Sequence, residues 1–147
     1  MNEPSAPIRY AGFWIRLAAN LIDTALFVLL TAPLLFWIYG GSYDPLASLL
    51  GQPAGWADLL ISNLLPIPLA ILFWRYRSAT PGKMVLKLAI VDAETLGAPG
   101  TKQLLIRYAG YFVCAIPFGY GFIKLGSHPR KQGWHDRMAN TLVIYSP

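Results

Sequence analysis

Phe13–Tyr39, FWIRLAANLIDTALFVLLTAPLLFWIY, is apolar except for Arg16, Asn20, Asp23, Thr24 and Thr31. As a helix it would be about 40 Å long, more than the roughly 30 Å of a bilayer's hydrocarbon core. Trp14 and Trp37 bracket it as an interfacial belt would, which puts Asp23 roughly 13 Å beyond the inner tryptophan. A charge at such a depth costs about 2.5–3.5 kcal/mol, so an ionisable residue there is read as functional and a partner is sought. Counted at about 100° per residue from Arg16, Asn20 falls near +40°, Asp23 near −20° and Thr31 near +60°. The polar residues form one stripe, expected to face protein or water rather than lipid. Arg16 and Asp23 are read as a pair, either a structural ion pair joined by Arg107 or an ion or proton site.

Composition points the same way. Hydrophobic residues make up 55% of the 147 and charged residues 13%, about half the share of an average soluble domain. The chain suits a single domain, residues 1–147. Residues 1–12 show no small-residue cleavage site and are expected not to be a signal peptide. The single cysteine, Cys114, excludes an intramolecular disulfide and reads as a small apolar residue in a buried helix. A net charge of +5 fits an anionic membrane surface better than nucleic acid, given the hydropathy.

A first span is expected over 12–39, with Pro33 kinking its outer third. Gly- and Pro-rich residues 40–55 form a loop, in which Leu46–Leu50 can make a short interfacial turn. A second span over 56–74 is again bracketed by tryptophans. It carries Asn63, and Pro66 and Pro68 should bend it. The 40–55 loop has no Lys or Arg, whereas Arg75, Arg77, Lys83, Lys87 and Lys102 follow the second span. Both termini and the 78–102 segment are therefore expected on the cytoplasmic side.

Thr80 reads as an N-cap and Pro81 as the first helical residue of a short amphipathic helix on the inner leaflet. Lys83 and Lys87 would face out and Met84, Val85 and Leu88 the other side. The third apolar region, 104–125, is interrupted by Pro117, Gly119 and Gly121. A broken hairpin that returns the basic tail, 127–147, to the inside is preferred to a through-span. Thr141–Tyr145 has strand character and can pair with Ala89–Asp92. The expected class is thus an all-α membrane protein, with two full transmembrane helices, a broken third region, an amphipathic cytoplasmic segment and a small two-stranded sheet.

Enzyme chemistry has little to stand on. Two histidines and one cysteine lack metal-ligand spacing, no serine sits in a nucleophile elbow, and Gly82-Lys83 lacks the rest of a phosphate loop. No cofactor and no metal is expected. Gly119-Tyr120-Gly121 follows Pro117-Phe118 rather than Thr-Val, which argues against a selectivity filter. His135-Asp136 is either a tuned imidazole pair or, preferably, a capping and packing motif.

Ala11-Gly12-Phe13-Trp14-Ile15-Arg16-Leu17-Ala18-Ala19 with Leu21-Ile22-Asp23 resembles the opening of the RDD family of small prokaryotic membrane proteins. The similarity continues through Ala79-Thr80-Pro81-Gly82-Lys83, Ile90-Val91-Asp92, Arg107 and Trp134-His135-Asp136-Arg137-Met138-Ala139-Asn140-Thr141. Trp134 and Asn140 stand where other members often carry Leu and Gly. The resemblance implies that Arg16 and Asp23 are the family's arginine and first aspartate, and that Asp136, or else Asp92, is the second. It also implies a prokaryotic inner-membrane transporter, with sodium/proton antiport attributed to some members. The expected partners are the bilayer and its anionic inner-leaflet lipids, further copies of the chain, and monovalent cations and protons. The other class kept open is a non-transporting module that recruits or regulates a partner through its cytoplasmic face, where Asp92, His135, Asp136 and Arg137 lie.

Overall fold

The computed structural model describes residues 7–115 and 129–146. Helix α1, Phe13–Tyr39, runs unbroken through Pro33. It ends at Gly40, whose N–H still bonds to the Phe36 carbonyl and whose φ of 58° turns the chain out of the helix. A short helix α2, Pro45–Leu49, follows in the loop. Asp44 caps it, its Oδ1 accepting from the Leu46 and Ala47 N–H groups at 2.9 and 3.2 Å.

The second long helix is composite: α3 (Trp56–Asp58), a π-helical stretch (Leu59–Leu64) and α4 (Pro66–Arg77). Pro66 and Pro68 have no N–H to return to the preceding turn. The chain takes up the mismatch in a wider turn, with the Leu65 N–H bonding to the Leu60 carbonyl at 2.8 Å. Helical structure continues past the expected limit at 74, to Arg77, and Trp74 does not mark that limit. Trp14, Trp37 and Trp56 are exposed, whereas Trp74 is 3% exposed and packs against Tyr108 and Tyr111. Trp74 belongs to the core and not to an interfacial belt.

Both long helices are apolar enough to cross a membrane. Only 6% of the most apolar stretch of the first and 11% of that of the second is buried, unlike the core helix of a soluble protein. Leu29, Leu30, Leu34 and Trp37 on α1 are all exposed.

The packed core sits at the other end of α1, around Ala11, Ala19, Trp74, Leu88, Ile90, Leu104 and Val143. Strands β1 (Leu88–Asp92) and β2 (Thr141–Tyr145) pair antiparallel with Ile90 opposite Val143, as their β-branched runs led one to expect. The segment before α1 joins them: Ala11 N–H donates to the Val143 carbonyl and Tyr145 N–H to the Arg9 carbonyl. Helix α5, Pro81–Val85, precedes β1; helix α6, Thr101–Ala115, follows it; helix α7, Trp134–Met138, leads into β2.

The break expected at Pro117–Gly121 lies outside the described residues, as does the side chain of Cys114. The flanks of that region are in view. Gln103 Nε2 donates to Asp92 Oδ2 at 2.5 Å and to the Asn140 carbonyl at 3.3 Å. Gln103, just before the third apolar region, and Asn140, in the tail beyond it, therefore lie side by side.

Candidate functional site

Two polar clusters lie where α1 meets the core. The first is built on Asp136, which is fully buried. Its Oδ2 accepts from Arg16 Nη1 at 2.5 Å and from the Gly133 N–H at 3.0 Å, closing the first turn of α7; its Oδ1 accepts from Arg107 Nη1. Arg16 also donates to the Ala11 and Lys131 carbonyls. Arg107 donates to Thr141 Oγ1 at 2.8 Å, and its guanidinium lies over the rings of Trp74 and Tyr111. One carboxylate thereby joins α1, α6, α7 and β2. Burial alone would raise its pKa, but the arginines outweigh that and hold it well below the usual carboxylate range.

His135 stacks on Tyr111 with ring centroids 4.4 Å apart. Burial, reinforced by Arg107 and Arg16 against the pull of Asp136, lowers its pKa to about 3, so the imidazole is neutral at physiological pH. Gly110 is what lets α7 approach: a Cβ there would lie 2.8 Å from the His135 Cα. This cluster is a clamp, in keeping with the packing reading of His135-Asp136.

The second cluster contains Asp23. Its Oδ2 accepts from Thr80 Oγ1 at 2.5 Å and its Oδ1 from the Gly82 N–H at 2.6 Å. Thr80 is the N-cap of α5 as expected, yet its hydroxyl serves Asp23 instead of the helix end. Gly82 makes the approach possible, since a Cβ there would overlap the Ala19 carbonyl oxygen. Lys83, one residue on, is drawn in with it. It is 3% exposed, with Nζ 3.4 Å from Asn20 Oδ1 and 3.5 Å from Thr80 Oγ1.

Two expectations are corrected here. The Arg16–Asp23 pair does not form: Arg16 is spent on Asp136, and Asp23 on α5. The two residues share a face of α1 but stand about 10 Å apart along its axis, beyond the reach of a direct ion pair. The amphipathic helix is also turned over, because Lys83 faces α1 while Met84 and Val85 are exposed.

Asn20, Asp23, Thr80 and Lys83 close one end of a cavity of about 600 Å³ between α1, α4 and α6. Its walls are mainly apolar, and Ser48 and Ser62 lie at the other end. Of the remaining sequence candidates, Asn63 sits in the π-helical stretch away from the cavity lining, its buried Nδ2 without a hydrogen-bond partner among the described residues. Asp92 organises a turn. The Thr95 N–H, then Gln103 and the Glu94 N–H, hold its carboxyl down at about 2. Arg137 is exposed on α7. Sequence reasoning passes over Lys83 and Thr141 as site residues, although Lys83 closes the Ala79–Lys83 motif.

The sequence profile of the RDD family matches residues 10–140, a stretch that holds Arg16, Asp23, Thr80, Lys83, Arg107 and Asp136. The chain belongs to the RDD family. Among curated relatives, the uncharacterized protein RP437 of Rickettsia prowazekii (strain Madrid E) is 46% identical over 76 residues, 52% of this chain and 42% of that protein. The uncharacterized protein YckC of Bacillus subtilis (strain 168) is 34% identical over 143 residues, 92% of this chain and 85% of that protein. The chain thus spans less than half of the Rickettsia relative's length and most of the Bacillus relative's. No solved structure matches it.

Proposed function

We propose that this RDD protein is a small multi-pass transport protein of the prokaryotic inner membrane that exchanges a monovalent cation for protons, with Asp23 as the charge-binding carboxylate. The observation that carries this reading is the position of Asp23 and Lys83 at one end of a cavity with apolar walls between helices apolar enough to cross a membrane. The Asp136 clamp serves another purpose, fixing the cytoplasmic cap against α1 so that α5 can meet Asp23. Arg75, Arg77, Lys83, Lys87 and Lys102 lie in the last turn of the second long helix or follow it in sequence, while residues 40–55 carry no Lys or Arg. That asymmetry supports a cytoplasmic position for both termini.

Arg75, Arg77 and Lys87 are exposed, as are Met84 and Val85, a combination suited to anionic inner-leaflet lipids. The working form in this reading is a homo-oligomer, for which the little-buried apolar faces of the two long helices are available. Ala19 is not available to that contact, being fully buried under α5, whereas Ala25 is exposed. The chain carries out no covalent chemistry in this account. A second reading, a module that recruits a partner, draws on the exposed Met84, Val85 and Met138 of the cytoplasmic face.

Liposomes containing the purified protein test the proposal. An inward gradient of sodium or potassium should drive proton efflux, and Asp23→Asn should abolish it. Wild-type liposomes no different from empty ones would favour the recruiting module.

A further inference from the structure

Helix α5 is tied to the molecule unevenly. Beyond β1, its neighbour in sequence, it packs chiefly on α1. Among the described residues, the hydrogen bonds that cross from α5 and its cap to α1 end on Asp23 and Asn20. Thr80 Oγ1 and the Gly82 N–H donate to the two oxygens of Asp23 at 2.5 and 2.6 Å, and Lys83 Nζ reaches Asn20 Oδ1 at 3.4 Å. The first two are short and draw on the charge of the carboxylate. The ends of the segment are built differently. Ser78 and Lys87, on either side of it, both have left-handed backbone with φ of 53°, where residues bearing a side chain are uncommon. Each is pinned beside the sheet: the Ile90 N–H donates to the Ser78 carbonyl at 2.6 Å, and the Ser146 N–H to the Lys87 carbonyl at 2.8 Å. Hinges are made of a few such element-terminal residues, which absorb a change of φ and ψ while their neighbours stay in place. Between them α5 turns Thr80, Pro81 and Lys83 to the cavity and exposes Met84 and Val85. The short helix stands between the cavity end and the surface.

We propose that α5 is a gate on this end of the cavity, hinged at Ser78 and Lys87 and latched shut by Asp23. The inference rests on the transport reading and gives that carboxylate a second task. The Thr80 O–H and the Gly82 N–H point the positive ends of their dipoles at Asp23. A cation bound there competes for the same negative charge and repels both donors. It therefore binds better when α5 has moved away, and a ligand shifts a conformational equilibrium by that difference in affinity. Occupation of Asp23 loosens the latch, α5 withdraws, and the cavity opens at that end. The closed seat is a specific one, because Gly82 rests against the Ala19 carbonyl with no room for a Cβ.

Hydrogen exchange of the purified full chain in lipid nanodiscs tests the gate, read by mass spectrometry on peptides covering 79–87, 88–92 and 141–145. In saturating sodium or potassium chloride, against choline chloride at the same ionic strength, the 79–87 amides should exchange about tenfold faster, as the loss of charge-assisted hydrogen bonds would give. Both strands should keep their rates. Asp23→Ala should free 79–87 in either salt, and Thr80→Val should take it part of the way. Unchanged strand peptides establish that a variant is folded, and Thr80→Val decides the matter should Asp23→Ala fail to fold. Wild-type protection of 79–87 that ignores the cation, or protection that survives both substitutions, would overturn the gate. Exchange that rises equally in both strands of the wild type would do so too. The expected exchange pattern without flux in liposomes would leave the gate and remove the transport reading. Cation-driven flux with 79–87 equally protected in both salts would do the reverse.

Discussion

The Arg16 guanidinium meets the Asp136 carboxylate at 2.5 Å, across 120 positions of sequence, with both side chains buried. Their contact joins the start of the first long helix to the last short one. It decides which of the chain's charges are structural. A carboxylate shared by two arginines and a backbone N–H has little left to offer a ligand, and that leaves Asp23 as the carboxylate facing the cavity.

Removing one partner of this clamp should cost more than removing several. Asp136→Leu leaves two buried guanidinium groups without their counter-charge and should destabilise by about 3–5 kcal/mol. Adding Arg16→Met to it should recover part of the loss. Thermal unfolding of both variants checks this; a double variant as unstable as the sum of the singles would show that the pair is not coupled.

Protonation should bear on stability through His135 before any carboxylate does. Its pKa is about 3 folded and 6.5 in the open chain, so the unfolded state binds the proton first. Stability is therefore full above about pH 6.5 and falls as pH drops toward 3, by about 1.4 kcal/mol per unit where the two states differ by one proton. Asp136, also depressed in the fold, adds its own loss only below the ordinary carboxylate range. Melting temperature between pH 8 and pH 5 should fall for the wild type and stay flatter for His135→Gln. Parallel curves would place the imidazole outside the folding equilibrium.

Gly82→Ala should push α5 off α1. The added methyl would overlap the Ala19 carbonyl, a backbone atom with no room to yield, and the Thr80 and Gly82 bonds to Asp23 would go with it. A loss of about 1–3 kcal/mol is expected from overpacking. Faster proteolysis of the 78–87 segment is its readout, and a wild-type digestion pattern would contradict the contact.

How much of this was legible in the chain depends on distance along it. The two long helices and the antiparallel sheet were readable because their signals are local: apolar length, β-branched runs, turn residues. Pairing was not. A helical wheel put Arg16 and Asp23 on one face and hid the axial rise between them. Asp136, the true partner of Arg16, is far off in sequence, and it stood out only as the neighbour of His135 and through the resemblance to the family. Lys83 defies its sequence for a subtler reason. A lysine on a short helix is ordinarily solvated, and the glycine beside it, which brings the helix against α1, acts through a surface that the sequence does not name.

Topology has an independent check. Tyr145 N–H bonds to the Arg9 carbonyl, so the first and last described segments lie together. In cells, a cysteine introduced by Ser146→Cys, with Cys114 replaced, should resist an impermeant thiol reagent until the membrane is permeabilised. Labelling from outside would contradict the cytoplasmic cap.

The central claim is a division of labour between two aspartates, and one paired measurement tests it: cation-driven proton flux and melting temperature for Asp23→Asn and Asp136→Asn side by side. Asp23→Asn should lose flux while melting close to the wild type, because an amide oxygen still accepts from Thr80 or Gly82. Asp136→Asn should melt well below the wild type, since the arginines lose their counter-charge. Flux that survives Asp23→Asn, together with an Asp136→Asn protein of wild-type stability that has lost it, would contradict the account.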